Sequence, residues 1–187
     1  MLPPHCDSRA ERQNFGFSDF PLELHPGLKA QGGFCLPFRP GCLGLAWIRS
    51  GSLFLQRPGQ SLTASAGEIL CFGPDYSDWE IRAHALNADF LCFDPSLLGQ
   101  TLTLCRLLNP ESSWSAQELL DKWPLSPFLV PGGLCVVSLL PPSDLRAHQI
   151  LDNLAEQFVQ KDHPFWRCLC RTAVLELLFL VTRTLLD

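Results

Sequence analysis

The sequence predicts a mainly β protein with C-terminal helices, in which a barrel or double-sheet jelly roll is followed by an antiparallel helix pair. Before Pro141-Pro142, short apolar runs alternate with Gly, Pro, Asn and Asp, a pattern typical of antiparallel β structure. After this double proline, the apolar residues recur at the helical spacing of about 3.6 residues. At 187 residues, the chain is long enough for one domain with a substantial core.

Several runs before the double proline have the length and composition of strands. The turns Ser50-Gly51 and Arg57-Pro58-Gly59-Gln60 separate some of them. A capping box from Ser115 to Glu118 predicts a short helix that ends near Trp123-Pro124. The predicted strands cover residues 43–49, 52–56, 61–64, 68–72, 78–83, 88–93 and 134–140.

The predicted helix pair begins after the double proline. Ser143 is a good N-cap for a first helix that ends near Lys161, and His163-Pro164 starts a second helix that runs to about residue 186. The apolar surface of the second helix is wider than one barrel needs for docking, which predicts a homodimer through this helix. The alternative is that the whole surface packs on its own barrel. The predicted dimer interface consists of Val174, Leu177, Leu178, Val181 and Leu185, beside which run Leu175, Phe179 and Leu186.

These boundaries divide the chain into three parts. Residues 1–20 are polar and interrupted, and we expect them to form a flexible N-terminal arm. Residues 21–141 form the predicted barrel, and residues 142–187 form the helical dimerisation segment.

Composition and charge exclude several classes of partner. The net charge of -5 argues against nucleic-acid binding, which needs a basic face to neutralise phosphates. The nine cysteines are scattered, none forms C-x-x-C, and no signal peptide is recognisable at the start. No apolar run is long enough to span a membrane. We therefore expect a soluble protein of the reducing cytoplasm, without membrane contact.

The sequence does not support catalysis or a cofactor. No two of the five histidines have the spacing of metal ligands, and neither a G-x-S-x-G motif nor a Gly-rich phosphate loop occurs. Asp78 stands where small β-barrels often place a late metal-binding histidine. Asp78 and Glu80 could form an acid–base pair, but carboxylates beside a turn are more often solvated. We expect neither an enzyme nor a bound metal or cofactor.

A cavity for a small ligand is the remaining prediction. Small barrels hold such a ligand with a few polar groups among apolar ones. The alternative is that the aromatic candidates are core residues and the charged ones are solvated. Strand alternation places Asp78 and Glu80 on one face, opposite Trp79 and Ile81. The sequence alone does not decide which pair faces inwards, although packing alone would favour Trp79 and Ile81. The candidate ligand-binding residues are Arg39, Trp47, Arg49, Asp78, Trp79, Glu80 and Phe90.

The order of these features resembles the N-terminal effector-binding and dimerisation domain of AraC-family transcriptional regulators. The similarity lies in Phe38-Arg39-Pro40, in residues 45–51, in the segment Ala66-Gly67-Glu68-Ile69-Leu70-Cys71-Phe72-Gly73-Pro74, in Cys92-Phe93-Asp94-Pro95 and in the two final helices. The 66–74 segment is similar to the family's P-G-D-(apolar run)-P-P signature, with Ala66 and Gly73 replacing prolines.

The resemblance implies a cupin-like barrel, usually without metal, that binds a small effector, and a helix pair that dimerises. A separate C-terminal domain binds DNA in this family, so DNA contact would come only through a domain that is not in this chain. Arg39 matches an arginine that contacts the sugar in one family member, and Trp79 or Glu80 matches a sugar-facing aromatic residue. Ala88 and Phe90 replace polar partners, which implies a less polar effector or none. The alternatives are a cupin-like, metal-dependent isomerase or dioxygenase, and an interaction module without ligand.

Overall fold

The computed structural model describes residues 20–39, 41–109 and 111–186. The predicted flexible arm lies outside the described residues except for Phe20, which is buried with its ring 5.0 Å from that of Trp166. The prediction of a mainly β protein with C-terminal helices is confirmed. The described strands are β1 (Leu22–Gly33), β2 (Leu43–Arg57), β3 (Gln60–Ser65), β4 (Glu68–Phe72), β5 (Glu80–Phe93) and β6 (Leu134–Ser138). The described α-helices are α1 (Leu104–Leu108), α2 (Ala116–Lys122), α3 (Ser143–Val159) and α4 (Trp166–Leu186).

The strands form one antiparallel sheet. Its hydrogen-bonded order is β1-β5-β2-β4-β6, and β3 pairs with the distal half of β2. Among the described residues, no pairing joins the outer strands β1 and β6. The sheet is therefore open and is not closed into the predicted barrel. After β6, the chain leaves the sheet through the double proline and continues into α3.

β2 and β5 are longer than the runs predicted within them. Ser50-Gly51 is predicted as a turn but lies inside β2, where the register with β5 shifts on both sides of Ser50. Gly51 has a φ of +77°, and a Cβ at this position would lie 2.2 Å from the carbonyl oxygen of Ala85. A local irregularity in a continuous strand thus replaces the predicted turn.

No sequence pattern predicts β1, because a proline and a glycine interrupt its apolar residues. Leu22 and Leu24 are buried, but the register with β5 shifts between His25 and Leu28, around Pro26. The bulge removes the regular alternation on which strand prediction depends.

The two faces of the sheet bury different neighbours. Leu45 of β2 and Leu91 of β5 belong to the same buried cluster as the apolar side chains of α3 and α4. The opposite face carries Ile48 and Phe90, and it is covered by the segment of residues 34–38 together with Tyr76 and Trp79. One face therefore docks the helices, and the other, called the aromatic face below, carries Phe72 and Phe90.

The helices begin and end close to their predicted positions. The capping box of α2 is confirmed, because Ser115 accepts from the Glu118 N–H and the Glu118 carboxylate accepts from the Ser115 N–H. Hydrogen bonds from Arg106, and then from Ser115, lower the pKa of Glu118 to about 2. α3 begins at Ser143 with Pro142 in the N-cap position and no capping side chain, so the predicted capping role of Ser143 is wrong.

The predicted dimer interface on α4 lies in the core of its own chain. Val174, Leu177, Leu178 and Val181 are all 0% exposed and pack in the cluster between the helices and the sheet. These four side chains have no surface to offer a second subunit, because they complete the buried face of the sheet. Leu185, at 39% exposure, is the one member that keeps substantial contact with solvent. Within the described chain, no helix combines the length and apolarity needed to cross a lipid bilayer.

Candidate functional site

The predicted ligand-binding residues do not converge on one site. Phe90 lies on the aromatic face of the sheet, whereas Trp47 and Arg49 lie between the sheet and α3. Asp78 and Glu80 are exposed, and Trp79 lines a cleft at the edge of the sheet. Ile81 is buried and Glu80 is exposed, an orientation that the sequence left undecided and that packing favours.

Aromatic side chains fill the space over the aromatic face of the sheet. The ring of Phe38 lies 5.0 Å from that of Phe72 and 5.8 Å from that of Phe90, with edge-to-face geometry. Gly44 makes room for Phe38, because a Cβ on Gly44 would lie 2.2 Å from that ring. Phe90 is 0% exposed and is a core residue, which is the alternative that the sequence left open for it. The complete aromatic cluster comprises Phe34, Phe38, Phe72, Tyr76 and Phe90.

Arg39 forms an ion pair with Glu23 of β1. The Glu23 side chain is 11% exposed, whereas the Arg39 side chain is 53% exposed. A nearly buried carboxylate needs a compensating cation, and Arg39 supplies it. The charge of Arg39 is therefore matched by the chain itself, at the end of the segment that carries Phe34 and Phe38.

Arg49 joins the sheet to α3. Its Nε donates to the buried Asp89 of β5 at 2.7 Å, and a terminal nitrogen donates to Asp152 of α3 at 2.7 Å. Its other terminal nitrogen lies 3.1 Å from Nε2 of His148. Burial alone would lower the pKa of Arg49, but the hydrogen bonds to Asp89 and Asp152 outweigh it and raise the pKa. These bonds lie on the side of the sheet that faces α3, away from the aromatic face.

The remaining candidates have structural or solvated surroundings. Trp47 is 3% exposed, and its ring lies 6.3 Å from that of His148. Glu80 is exposed and accepts from Arg82 at 2.7 Å. Asp78 is exposed in the short turn of 3-10 helix before β5. Trp47 therefore packs the sheet against α3, and the two carboxylates lie at the surface.

Trp79 lines a cleft of about 410 Å³ between the β2–β3 hairpin and the segment before β6. Leu62 and Leu134 form its apolar walls beside the indole ring. The indole Nε1 donates to the carbonyl oxygen of Gly132 at 3.2 Å, which fixes the ring across the cleft. The complete lining is Gly59, Gln60, Ser61, Leu62, Trp79, Pro131, Gly132 and Leu134.

Arg57 lies beside this cleft, although the sequence did not single it out. Its guanidinium carbon is 4.7 Å from the centre of the Trp79 ring, and its Nε donates to the side chain of Gln60 at 2.7 Å. Among the described residues, no carboxylate forms an ion pair with Arg57. The sequence placed Arg57 in a turn, and no local pattern indicates that residues 131–134 pack against this turn. The cleft thus combines an aromatic surface with a cation whose charge is not matched.

The described part of the chain contains no group of three or more His, Cys, Asp or Glu residues arranged to hold a metal ion. The polar groups of the Trp79 cleft are instead backbone carbonyl, amide, hydroxyl and guanidinium groups. Such groups bind and orient organic molecules through hydrogen bonds and charge.

No family model matches the sequence, and no curated protein is significantly similar to it. The unsaturated fatty acid bound ToxT of Vibrio cholerae strain SCE256 aligns with 92% of this chain and 57% of its own, at 11% identity and a TM-score of 0.49. The AraC-like transcriptional activator CuxR aligns over 84% of this chain and 50% of its own, at 12% identity and a TM-score of 0.46. A Pseudomonas syringae protein of unknown function aligns over 43% of this chain and 33% of its own, at 17% identity and a TM-score of 0.35. The chain thus spans from a third to somewhat over half of the length of these solved proteins.

Proposed function

We propose that this chain is a ligand-sensing and dimerisation module of the AraC type, which binds a small effector at the Trp79 cleft without a metal. The observation that carries the proposal is the cleft itself. Its volume of about 410 Å³ lies within the range of small-molecule sites, and its lining combines apolar walls with a few polar groups. The ordered motifs of the AraC type in the sequence support the same function. The proposal assigns no DNA contact to the described residues.

The effector class follows from the chemistry of the cleft. Trp79, Leu62 and Leu134 suit a flat or branched apolar body. Arg57 suits an anionic group, because a guanidinium without a carboxylate partner gains charge-assisted hydrogen bonds from a bound carboxylate. The proposed effector is therefore a small organic anion with an apolar body, such as an aromatic monocarboxylate. It would replace solvent at Arg57 and would stack on or beside the indole ring.

Calorimetric titration with 2-naphthoate, with neutral 2-naphthamide as the matched probe, tests this proposal. We expect the wild-type protein to bind the acid and Trp79→Ala to lose binding of both probes. Arg57→Gln should weaken binding of the acid by about 10-fold or more, because one charge-assisted bond is lost, and should leave the amide unaffected. Arg82→Gln is the control, since Arg82 is exposed and pairs with Glu80 beside Trp79. Equal affinities in the Arg57→Gln and wild-type proteins would contradict the proposed anion site.

The dimerisation part of the proposal concerns the exposed side of α4. Leu169, Phe179 and Leu186 are 43%, 46% and 64% exposed, respectively. The ring of Phe179 lies 5.5 Å from that of Trp123, which follows α2 and is 39% exposed. These side chains supply the apolar surface of the proposed homodimer, rather than the buried Val174, Leu177, Leu178 and Val181.

The filled interior favours a second candidate function, an interaction module that binds no small molecule. The aromatic cluster fills the space over the face of the sheet opposite the helices. If neither 2-naphthoate nor its amide binds while the protein remains a dimer, this second candidate is favoured. A stoichiometric transition metal in the purified protein would contradict both candidates and would favour the metal-dependent enzyme instead.

A further inference from the structure

Two cysteines are neighbours at the edge of the aromatic face. Cys92 of β5 is directly opposite Gly44 of β2 in the strand ladder. Cys42 precedes Gly44 by two residues, so its side chain leaves the chain on the same face as that of Cys92. Gly44 has no side chain to separate them, and side chains of diagonal neighbours on one face of a sheet can interact.

The two thiols interact and differ in their access to solvent. Cys42 and Cys92 share a side-chain hydrogen bond, and a backbone hydrogen bond from Arg39 also reaches Cys92. The backbone N–H of Cys42 donates to the carbonyl oxygen of Arg39 at 3.3 Å, which fixes Cys42 in a turn. Cys92 is 1% exposed, whereas Cys42 is half-buried. An oxidant in solution therefore reaches Cys42 first.

The surroundings assign the two thiols different chemical roles. The hydrogen bond from Cys92 lowers the pKa of Cys42, and the charge of Arg39 also acts in this direction against burial and the nearby carboxylates. The same hydrogen bond, and then burial, raise the pKa of Cys92. The thiolate is the reactive form of cysteine, so Cys42 is suited to react first and Cys92 to complete the reaction.

We propose that Cys42 and Cys92 form a peroxide-sensitive dithiol that closes to a reversible disulfide. The Cys42 thiolate attacks one oxygen of the peroxide: an S–O bond forms, the O–O bond breaks, and hydroxide leaves to become water. Cys42 is then a sulfenic acid. The Cys92 sulfur, losing its proton, attacks the Cys42 sulfur: the S–S bond forms, the S–O bond breaks, and a second water leaves. The two thiols are oxidised together, and the peroxide is reduced to two waters.

The proposal does not depend on the proposed effector site. The disulfide would join the segment that carries Phe38 and Arg39 to β5, so it would fix the cover of the aromatic cluster to the sheet. The chain also contains a natural comparison, because Cys71 of β4 and Cys135 of β6 are directly opposite each other. Burial raises the pKa of both of these thiols, and we expect this pair to react far more slowly.

The test uses a background in which Cys6, Cys35, Cys105 and Cys168 are replaced by serine. Tryptic cleavage then places Cys42 alone in the peptide of residues 30–49 and Cys92 alone in that of residues 83–106. After treatment with hydrogen peroxide, we expect a loss of about 2 Da, a cross-link between these two peptides, and full recovery with dithiothreitol. In Cys92→Ala, dimedone should trap a sulfenic acid at Cys42, whereas Cys42→Ala should protect Cys92 from oxidation.

Cys71→Ala is the matched control and should leave the cross-link unchanged. Circular dichroism of each variant verifies that it is folded, and mass analysis of the background protein needs no substitution at either reactive position. Peroxide treatment that cross-links Cys71 with Cys135, or that leaves the thiols of peptides 30–49 and 83–106 intact, would overturn the proposal. Trapping of sulfenic acid at Cys92 rather than Cys42 would overturn the assigned order of reaction.

Discussion

At the scale of single residues, the contact between the sheet and α3 depends on one buried carboxylate. Asp89 is 1% exposed and accepts hydrogen bonds from Arg49 and from the backbone N–H of Gly27, each at 2.7 Å. A buried charge is tolerated only while its partners remain in place. Arg49, which the sequence suggested as a ligand contact, is therefore a structural cation that links β1, β2 and β5 to α3.

Replacing Arg49 by methionine should cost the protein about 3–5 kcal/mol of unfolding free energy, because Asp89 would remain buried without its cation. Arg82→Met is the control and should cost less than about 1 kcal/mol, since Arg82 pairs with Glu80 at the surface. Urea denaturation followed by circular dichroism measures both values. The double variant Arg49→Met/Asp89→Leu should recover part of the loss. Equal costs for Arg49→Met and Arg82→Met would show that the buried pair does not carry the contact.

At the scale of elements, the pairing of the long strands β2 and β5 is irregular at one place. Gly51 lies in β2 with a φ of +77°, and its Cα lies against the backbone of Ala85, the residue of β5 with a φ of 45°. The positive φ of both residues and the close approach of Gly51 to the Ala85 backbone keep the strands paired through this irregularity. A local sequence pattern contains the glycine but not its partner across the sheet, and for this reason Ser50-Gly51 was predicted as a turn.

Substituting alanine at two glycines with nearly the same φ separates backbone strain from steric contact. Gly59 has a φ of +76°, and a Cβ there would meet nothing within 4 Å. Gly59→Ala should therefore cost about 1–2 kcal/mol, from the positive φ alone. Gly51→Ala adds a Cβ that would lie 2.2 Å from a carbonyl oxygen, so it should cost about 1–3 kcal/mol more. Chemical denaturation of the two variants measures the difference, and equal costs would contradict the tight contact at Gly51.

At the scale of the whole molecule, α4 has a buried side and an exposed side, both of them apolar. The buried side belongs to the core shared with the sheet and α3. The exposed side carries Phe179 and Leu186. A helix whose apolar residues cover a wide surface is predicted to make two contacts. The sequence does not show which apolar side meets the core, because that depends on how the helix is rotated against the sheet.

Adjacent residues on α4 separate folding from assembly. Leu178→Asp buries a carboxylate in the core and should unfold much of the protein, whose whole stability is expected to be about 5–15 kcal/mol. Phe179→Asp places the charge on the exposed side, so the protein should stay folded and shift from dimer to monomer. Light scattering measures the mass, and circular dichroism measures the fold. A wild-type protein that is monomeric at all concentrations, or a dimeric Phe179→Asp variant, would contradict the proposed interface.

The predictions succeeded where local pattern determines structure. The capping box at Ser115 follows from residues three positions apart, and the helices after the double proline follow from their 3.6-residue period. β1 was missed, because Pro26 and the bulge beside it disrupt the alternation of apolar residues. Of the candidate ligand residues, Trp79 lines the cleft, but its neighbour Arg57 was not identified. The two meet only through long-range packing.

By itself, the sequence determined the change of period at Pro141-Pro142, the positions of β3 and β4, and those of the helices α2, α3 and α4. These features depend on residues close together in the chain, through turn chemistry, caps and apolar periodicity. Only the tertiary structure decided that the sheet is open and that Arg49 bonds to α3. It also decided that Phe90 and the buried side chains of α4 are core residues. It also brought Trp79 to Arg57 and Cys42 to Cys92. The physical reason is that burial and charge pairing depend on neighbours distant in sequence, which local patterns do not specify.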